Sequence, residues 1–240
     1  MDSTEELFRE DANQWTCEAN VLAFEEDGGL ILDRTVAYPV GGGQAGDAGV
    51  IHADGVSWRF GDTRKSKQHP GAILHVIEGA APLPGTRVIV EIDADRRQCH
   101  RRFHTATHLL CALLPYPVNG CSITQSYARL DFHTDEAFDK DALNAGLAHW
   151  VAAARPVRHR WISEAELDAN PSLVRSMSVQ PPRGLGRVRV IDIDGVDLQP
   201  CGGTHVNNTA DIGAVLVTKI EKKAAKTRRV VLGFAAPDVT

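Results

Sequence analysis

The chain has 240 residues, 43% of them hydrophobic and 24% charged, with a net charge of -5. That composition excludes a disordered or fibrous protein and leaves room for one large domain or two modest ones, of which two are expected. The charge gives no general attraction to nucleic acid, and no run of about 18 apolar residues is present to cross a membrane as a helix.

The first ten residues, MDSTEELFRE, are polar and acidic where a secretion signal would be basic and then apolar, so a cytoplasmic location is expected. Five cysteines (Cys17, Cys99, Cys111, Cys121, Cys201) at irregular spacing argue against a disulfide framework; most are expected to be small core residues. From Val21 to Asp93 short alternating runs, EANVLAFEED, GLILDRT, AGVIHADGVSWRFGD, GAILHVIEG and TRVIVEID, are punctuated by turns at Asp27-Gly28-Gly29 and Asp54-Gly55. This spacing predicts a small antiparallel barrel or curled sheet, taken as a first domain over residues 1–93.

Near Ala94 the period changes from two to about 3.6, because Phe103, Ala106, Leu109, Leu110 and Leu113 share one helical face until Pro115 stops the run. The helix opens a second domain, residues 94–240. Strand-like GCSITQ and ARLDFHT follow, then a helix over KDALNAGLAHWVAAA, a strand near PVRHRWI and a short helix at SEAELDA. After a Pro/Gly-rich crossing at QPPRGLG come strands at RVRVIDID, GAVLVTKIE and RRVVLGFA. The expected fold class is α+β: the barrel-like domain, then an α/β sandwich with helices on one face of a mainly antiparallel sheet.

His104 and His108 lie four residues apart on the predicted helix, where side chains at i and i+4 stand on one face. Alone, such a pair either binds a metal or merely packs and caps. Cys201 and His205 repeat the spacing after a strand, and the GGT between them lets the backbone turn so that thiolate and imidazole converge. One thiolate with imidazoles favours zinc. The roughly ninety residues between the pairs are unlike a zinc finger's about 12–20, and Thr105 stands where a metalloprotease helix needs glutamate. Four protein ligands suit a closed structural site, whereas three plus water suit catalysis, and both readings stay open. His100 extends the stripe as a substitute ligand, but its arginine neighbours favour a solvent- or RNA-facing role. Six basic residues between Lys219 and Arg229 form either a solvated face or a nucleic-acid contact.

On HTATHLL, on CGGTHV followed by DIGAVLV, on RRVVL and on AYPVGGGQAGDAG, the chain resembles the alanyl-tRNA editing proteins, free-standing relatives of the editing domain of alanyl-tRNA synthetase. The resemblance implies hydrolysis in trans of mischarged tRNA(Ala), chiefly Ser-tRNA(Ala) with Gly-tRNA(Ala) as a second substrate. It also implies Zn2+ on His104, His108, Cys201 and His205. The synthetase's aminoacylation module and long C-terminal extension are not expected.

As catalytic pocket residues it implies Thr35 and Gln44. The backbone donors of the glycine loop, Gly42 and Gly43 among them, would lie near the terminal adenosine or the ester carbonyl. Lys222, Lys223, Lys226, Arg228, Arg229, Arg101 and Arg102 would meet tRNA phosphates. No general base stands out among Asp47, His133 and Glu221. Two rival functions remain: an RNA-binding module with structural zinc, and a related metallohydrolase acting on another aminoacyl ester. Neither the oligomeric state nor the basis of tRNA(Ala) identification is legible.

Overall fold

The computed structural model describes residues 3–25, 28–177, 180–181, 184 and 186–235; Asp27 of the first expected turn, and Pro182, Arg183 and Leu185 of the crossing, lie outside the described residues. The fold is mixed α+β with mostly antiparallel sheets. Contacts divide it into two units, Met1–Gln98 and Cys99–Thr240.

In the first unit the strands are β1 (Glu5–Glu6), β2 (Thr16–Glu25), β3 (Gly29–Leu32), β4 (Arg34–Thr35), β5 (Gly49–Ala53), β6 (Val56–Lys65), β7 (Ile73–Ile77) and β8 (Arg87–Ile92). Six of them close an antiparallel barrel in the order β2-β3-β7-β6-β5-β8, while β1 and β4 pair in parallel beside it. The alternation in the sequence is why: in β8 Val88, Val90 and Ile92 are buried while Arg87, Ile89 and Glu91 face out, and the inward set joins Val21, Leu30, Leu32, Ile51 and Phe60 in one core. Between β5 and β6 the expected turn is present, with positive φ at Asp54 (48°) and Gly55 (77°) as a two-residue hairpin requires.

Helix α1 (Ala94–Leu113) begins with the carboxylate of Asp93 accepting from the Arg96 amide, and it ends two residues before Pro115. The second unit continues with β9 (Val118–Ile123), β10 (Ala128–Phe132), α2 (Lys140–Ala152), β11 (Val157–Ser163), α3 (Glu164–Ala169), β12 (Arg187–Ile193), β13 (Asp197–Pro200), β14 (Val215–Ala224) and β15 (Thr227–Phe234). Asp139 caps α2 through its side chain, and Ser163 with Glu166 forms a capping box on α3. The apolar stripe of α1, Phe103, Ala106, Leu109 and Leu110, is buried with Leu130, Phe132, Leu143, Ile191, Val217 and Leu232 in the unit's single large core.

Two details differ from the sequence reading. The late strands do not form one sheet: β14-β15-β10-β9 make one and β11-β12-β13 another. A strand does precede Cys201, as expected, but it is β13, separate from the strand read over RVRVIDID; it is four residues long, ends on Pro200 and buries an aspartate and a glutamine, so it carries no apolar alternation. It leads directly into Cys201. No described helix is long and apolar enough to cross a membrane.

Candidate metal centre and glycine-rich loop

In the second unit, α1 sets His104 and His108 one turn apart, with ring centroids 5.5 Å from each other. The turn after β13 brings His205 to 4.2 Å from His104 and 4.8 Å from His108, centroid to centroid. The Cys201 sulfur lies 3.4 Å from His104 Nε2 and 3.3 Å from His205 Nε2, and the four donor atoms all fall within 4.8 Å of one another. The two ligand pairs read from the sequence are therefore one cluster. It could hold a metal ion, and three imidazoles with one thiolate make a donor set for a borderline cation.

Backbone anchors hold the turn. Arg189 receives the Cys201 amide on its carbonyl oxygen and returns Nη1 to the carbonyls of Cys201 (2.8 Å) and Gly203 (3.1 Å). Arg101 Nε donates to the His205 carbonyl at 2.8 Å. Thr105, whose hydroxyl donates to the Arg101 carbonyl, offers its lone pairs to His205 Nδ1 (3.2 Å) and to the Val206 amide. Asp197 Oδ2 accepts from His108 Nδ1 at 2.9 Å.

The four side chains are strongly coupled by charge. Burial favours the neutral Cys201 thiol, but His104 and His205 outweigh it and hold its pKa well below the thiol's ordinary value. Burial and the positive field of His104 push His205 well below its ordinary value, so it is a neutral imidazole with a lone pair to give. Burial lowers His108, yet hydrogen bonds to Asp197 and Cys201 prevail and push it up to about 10. The other cysteines differ: burial pushes Cys111 and Cys121 up to about 12, and none of the five is in a disulfide. Cys111 is a buried core residue, as expected for most of the set.

The residues read as phosphate contacts divide in two. Lys222, Lys223 and Lys226 are exposed on the β14–β15 hairpin. Arg229 makes two bonds to the Asp131 carboxylate, at 2.7 and 2.8 Å, and Arg228 donates to the carbonyls of Asp135 and Ala224. Arg101 is buried and bonded to the His205 carbonyl; Arg102 donates to the Ile212 carbonyl and lies over the Phe234 ring at 4.2 Å. Of the general bases considered, Glu221 is paired with Lys219 and His133 is exposed next to Asn119. His100 is fully buried, not turned to solvent.

In the first unit, Thr35 ends β4 and is fully buried. Its hydroxyl lies 2.8 Å from His75 Nε2 and accepts from the Ala37 amide at 3.0 Å. Because His75 Nδ1 faces the Leu30 carbonyl, which can only accept, Nε2 is the acceptor and Thr35 is the donor. The loop beyond turns through Gly42 (φ 59°) and Gly43 (φ 88°), while Gly41 and Gln44 exchange both backbone bonds across it. Only glycine takes both of these conformations without strain. Asp47, also weighed as a base, is locked: it accepts from the Tyr38 amide and is ion-paired to Arg97, both side chains being fully buried.

His75 gives a pH test. Burial lowers its pKa from 6.5 to about 4, so the folded protein keeps it neutral while an unfolded chain protonates it below 6.5. Stability is then lost as pH falls from 6.5 and the loss levels off near 4, amounting to about 3 kcal/mol. Urea unfolding across this window should show that slope, and His75→Leu should be flatter than wild type.

The description "Threonyl and Alanyl tRNA synthetase second additional domain" fits residues 188–231, and "tRNA synthetases class II (A)" fits residues 9–96. The chain is 33% identical to the alanyl-tRNA editing protein AlaX-M of Methanosarcina barkeri, over 94% of this chain and 97% of that protein. It is 31% identical to AlaX-M of Methanosarcina acetivorans over the same shares. With the alanine–tRNA ligase of Archaeoglobus fulgidus it shares 32% identity, spanning 91% of this chain but only 24% of the ligase. Near full-length similarity to the two editing proteins places this chain in the alanyl-tRNA editing protein family.

Proposed function

We propose that the protein is a trans-editing hydrolase that removes serine, and secondarily glycine, from mischarged tRNA(Ala) in the cytoplasm. The observation that carries this reading is the four-donor cluster of His104, His108, Cys201 and His205 in a chain of this family. We further propose that these residues hold Zn2+, and that residues 1–93 and 94–240 act as a glycine-rich β domain and an editing domain.

An alanine-activating pocket cannot strongly reject serine, which adds one hydroxyl, or glycine, which is smaller. A second site can sort in the other direction if it bonds the serine hydroxyl, since alanine then leaves buried polar groups unpaired. Thr35 and Gln44 are our candidates for that recognition. Since Thr35 already donates to His75, what its hydroxyl has left to offer is a lone pair, and a serine hydroxyl can donate to it where a methyl group cannot. Backbone amides at Gly42 and Gly43 are candidates to stabilise a developing oxyanion. Bound zinc would supply Lewis acidity toward a carbonyl oxygen or water. Phosphate contact falls to Lys222, Lys223 and Lys226, since Arg228 and Arg229 would have to surrender bonds they already make.

Ser-tRNA(Ala), Ala-tRNA(Ala) and Ser-tRNA(Ser) test the reading side by side. Loss of serine from tRNA(Ala) alone is the expected result, with binding that weakens as salt rises. Equal hydrolysis of Ser-tRNA(Ser) points instead to a general aminoacyl-ester hydrolase. The presence of four protein donors favours one further alternative, a closed structural zinc in an RNA-binding module; zinc-loaded protein without turnover on any of the three substrates would support it.

A further inference from the structure

Asp197 is a buried carboxylate on β13, four residues before Cys201, and its side chain is fully excluded from solvent. A buried carboxylate is costly unless closely paired and hydrogen-bonded. Its Oδ2 accepts from His108 Nδ1 at 2.9 Å and from Gln199 Nε2 at 2.8 Å. Its Oδ1 has no hydrogen bond, and the Arg175 guanidinium lies 3.8 Å from it. The carboxylate's direct partners are thus the Gln199 amide and the His108 imidazole, and the imidazole is the one that belongs to the donor cluster.

We infer that Asp197 is a positioning residue for His108: by accepting from Nδ1 it fixes the ring's orientation and tautomer and presents Nε2 to the donor cluster, while Gln199 holds the carboxylate in place. The inference rests on the metal-binding reading above. A carboxylate on the far nitrogen of a metal-binding imidazole raises the ring's basicity and adds negative charge close to the ion. His205, by contrast, is oriented by the neutral hydroxyl of Thr105. The strand that supplies this carboxylate also delivers Cys201, so one short segment sets both an inner and an outer member of the cluster. Arg175 extends the frame, its Nη1 donating to the Cys111 carbonyl at 2.7 Å on the helix that carries His108.

The test uses the full chain loaded with Zn2+ and titrated with a chromophoric chelator, with parallel Co2+ loading to record the ligand-field spectrum. Asp197→Ala should lower Zn2+ affinity by about 10- to 100-fold. Asp197→Asn, which keeps an acceptor but loses the charge, should fall between that variant and wild type and shift the Co2+ bands. Gln199→Leu should weaken Zn2+ in the same direction. If Asp197→Ala does not fold, the Asn variant carries the comparison alone. Wild-type affinity together with an unchanged Co2+ spectrum in folded Asp197→Asn overturns the role assigned to Asp197 and leaves the metal-binding reading intact. Failure of the wild-type chain to retain either ion removes that reading and this inference together.

Discussion

Cys201→Ala is expected to abolish both metal retention and deacylation while leaving a folded protein. The sulfur is the one anionic group among the four clustered donors, and it lies between the Nε2 atoms of His104 and His205 at 3.4 and 3.3 Å. Without it three imidazoles remain, one of them drawn toward the protonated state by Asp197, and no donor supplies negative charge to a cation. Affinity should fall by more than about 100-fold, the upper end of what losing a mere outer-shell partner costs. Cys201 is a small residue at the edge of the unit's core, and the turn around it is held by Arg189 and Arg101 through backbone carbonyls that the substitution leaves in place. Metal content by atomic absorption, paired with a melting curve, checks the expectation. Full zinc content in the variant would mean that the cluster is not the binding site.

Arg97→Met should destabilise the protein more than any substitution at its surface. The guanidinium and the Asp47 carboxylate are fully buried; Nε lies 3.2 and 3.0 Å from the two carboxylate oxygens, and Nη2 pairs with Asp47 as well. The same side chain donates to the carbonyls of Val36 (2.6 Å) and Ala12 (3.2 Å), the first lying beside Thr35 at the entrance to the glycine loop. Removing it strands a buried carboxylate and two carbonyls, at a cost of about 3–5 kcal/mol. For a chain of this size that corresponds to a drop in Tm of about 10 °C or more. Arg97→Met/Asp47→Leu should recover part of the loss, because the deficit comes mostly from the uncompensated charge. A single variant that melts with wild type would show that the pair carries no net stability.

Much of the fold was legible because its core is built from regular periods. Val88, Val90 and Ile92 alternate as an inward strand face must, and Phe103 to Leu110 repeat as a helix face must. The ligand pairs were legible for the same reason, as i, i+4 spacing on a helix and a glycine-opened turn place donors regardless of what surrounds them. Asp197 and Arg189 were not. A carboxylate or guanidinium acquires such a role only when another strand or helix brings it a partner, and His108 is distant in sequence from Asp197. Charge pattern misled for a related reason: the run from Lys219 to Arg229 looks uniform, yet its arginines are bonded inward and only Lys222, Lys223 and Lys226 combine exposure with no ion pair among the described residues. The bounds of strand β13 were not legible because polar side chains occupy its inward positions, Asp197 and Gln199.

The most direct test of metal-dependent editing compares initial rates of Ser-tRNA(Ala) and Ala-tRNA(Ala) deacylation by the same protein, zinc-loaded and chelated, each shown to be folded by circular dichroism. Rapid release of serine, survival of Ala-tRNA(Ala), and loss of the serine activity on chelation with return on zinc addition are the expected results. Equal rates on the two substrates, or full activity in folded protein stripped of metal, would contradict metal-dependent editing.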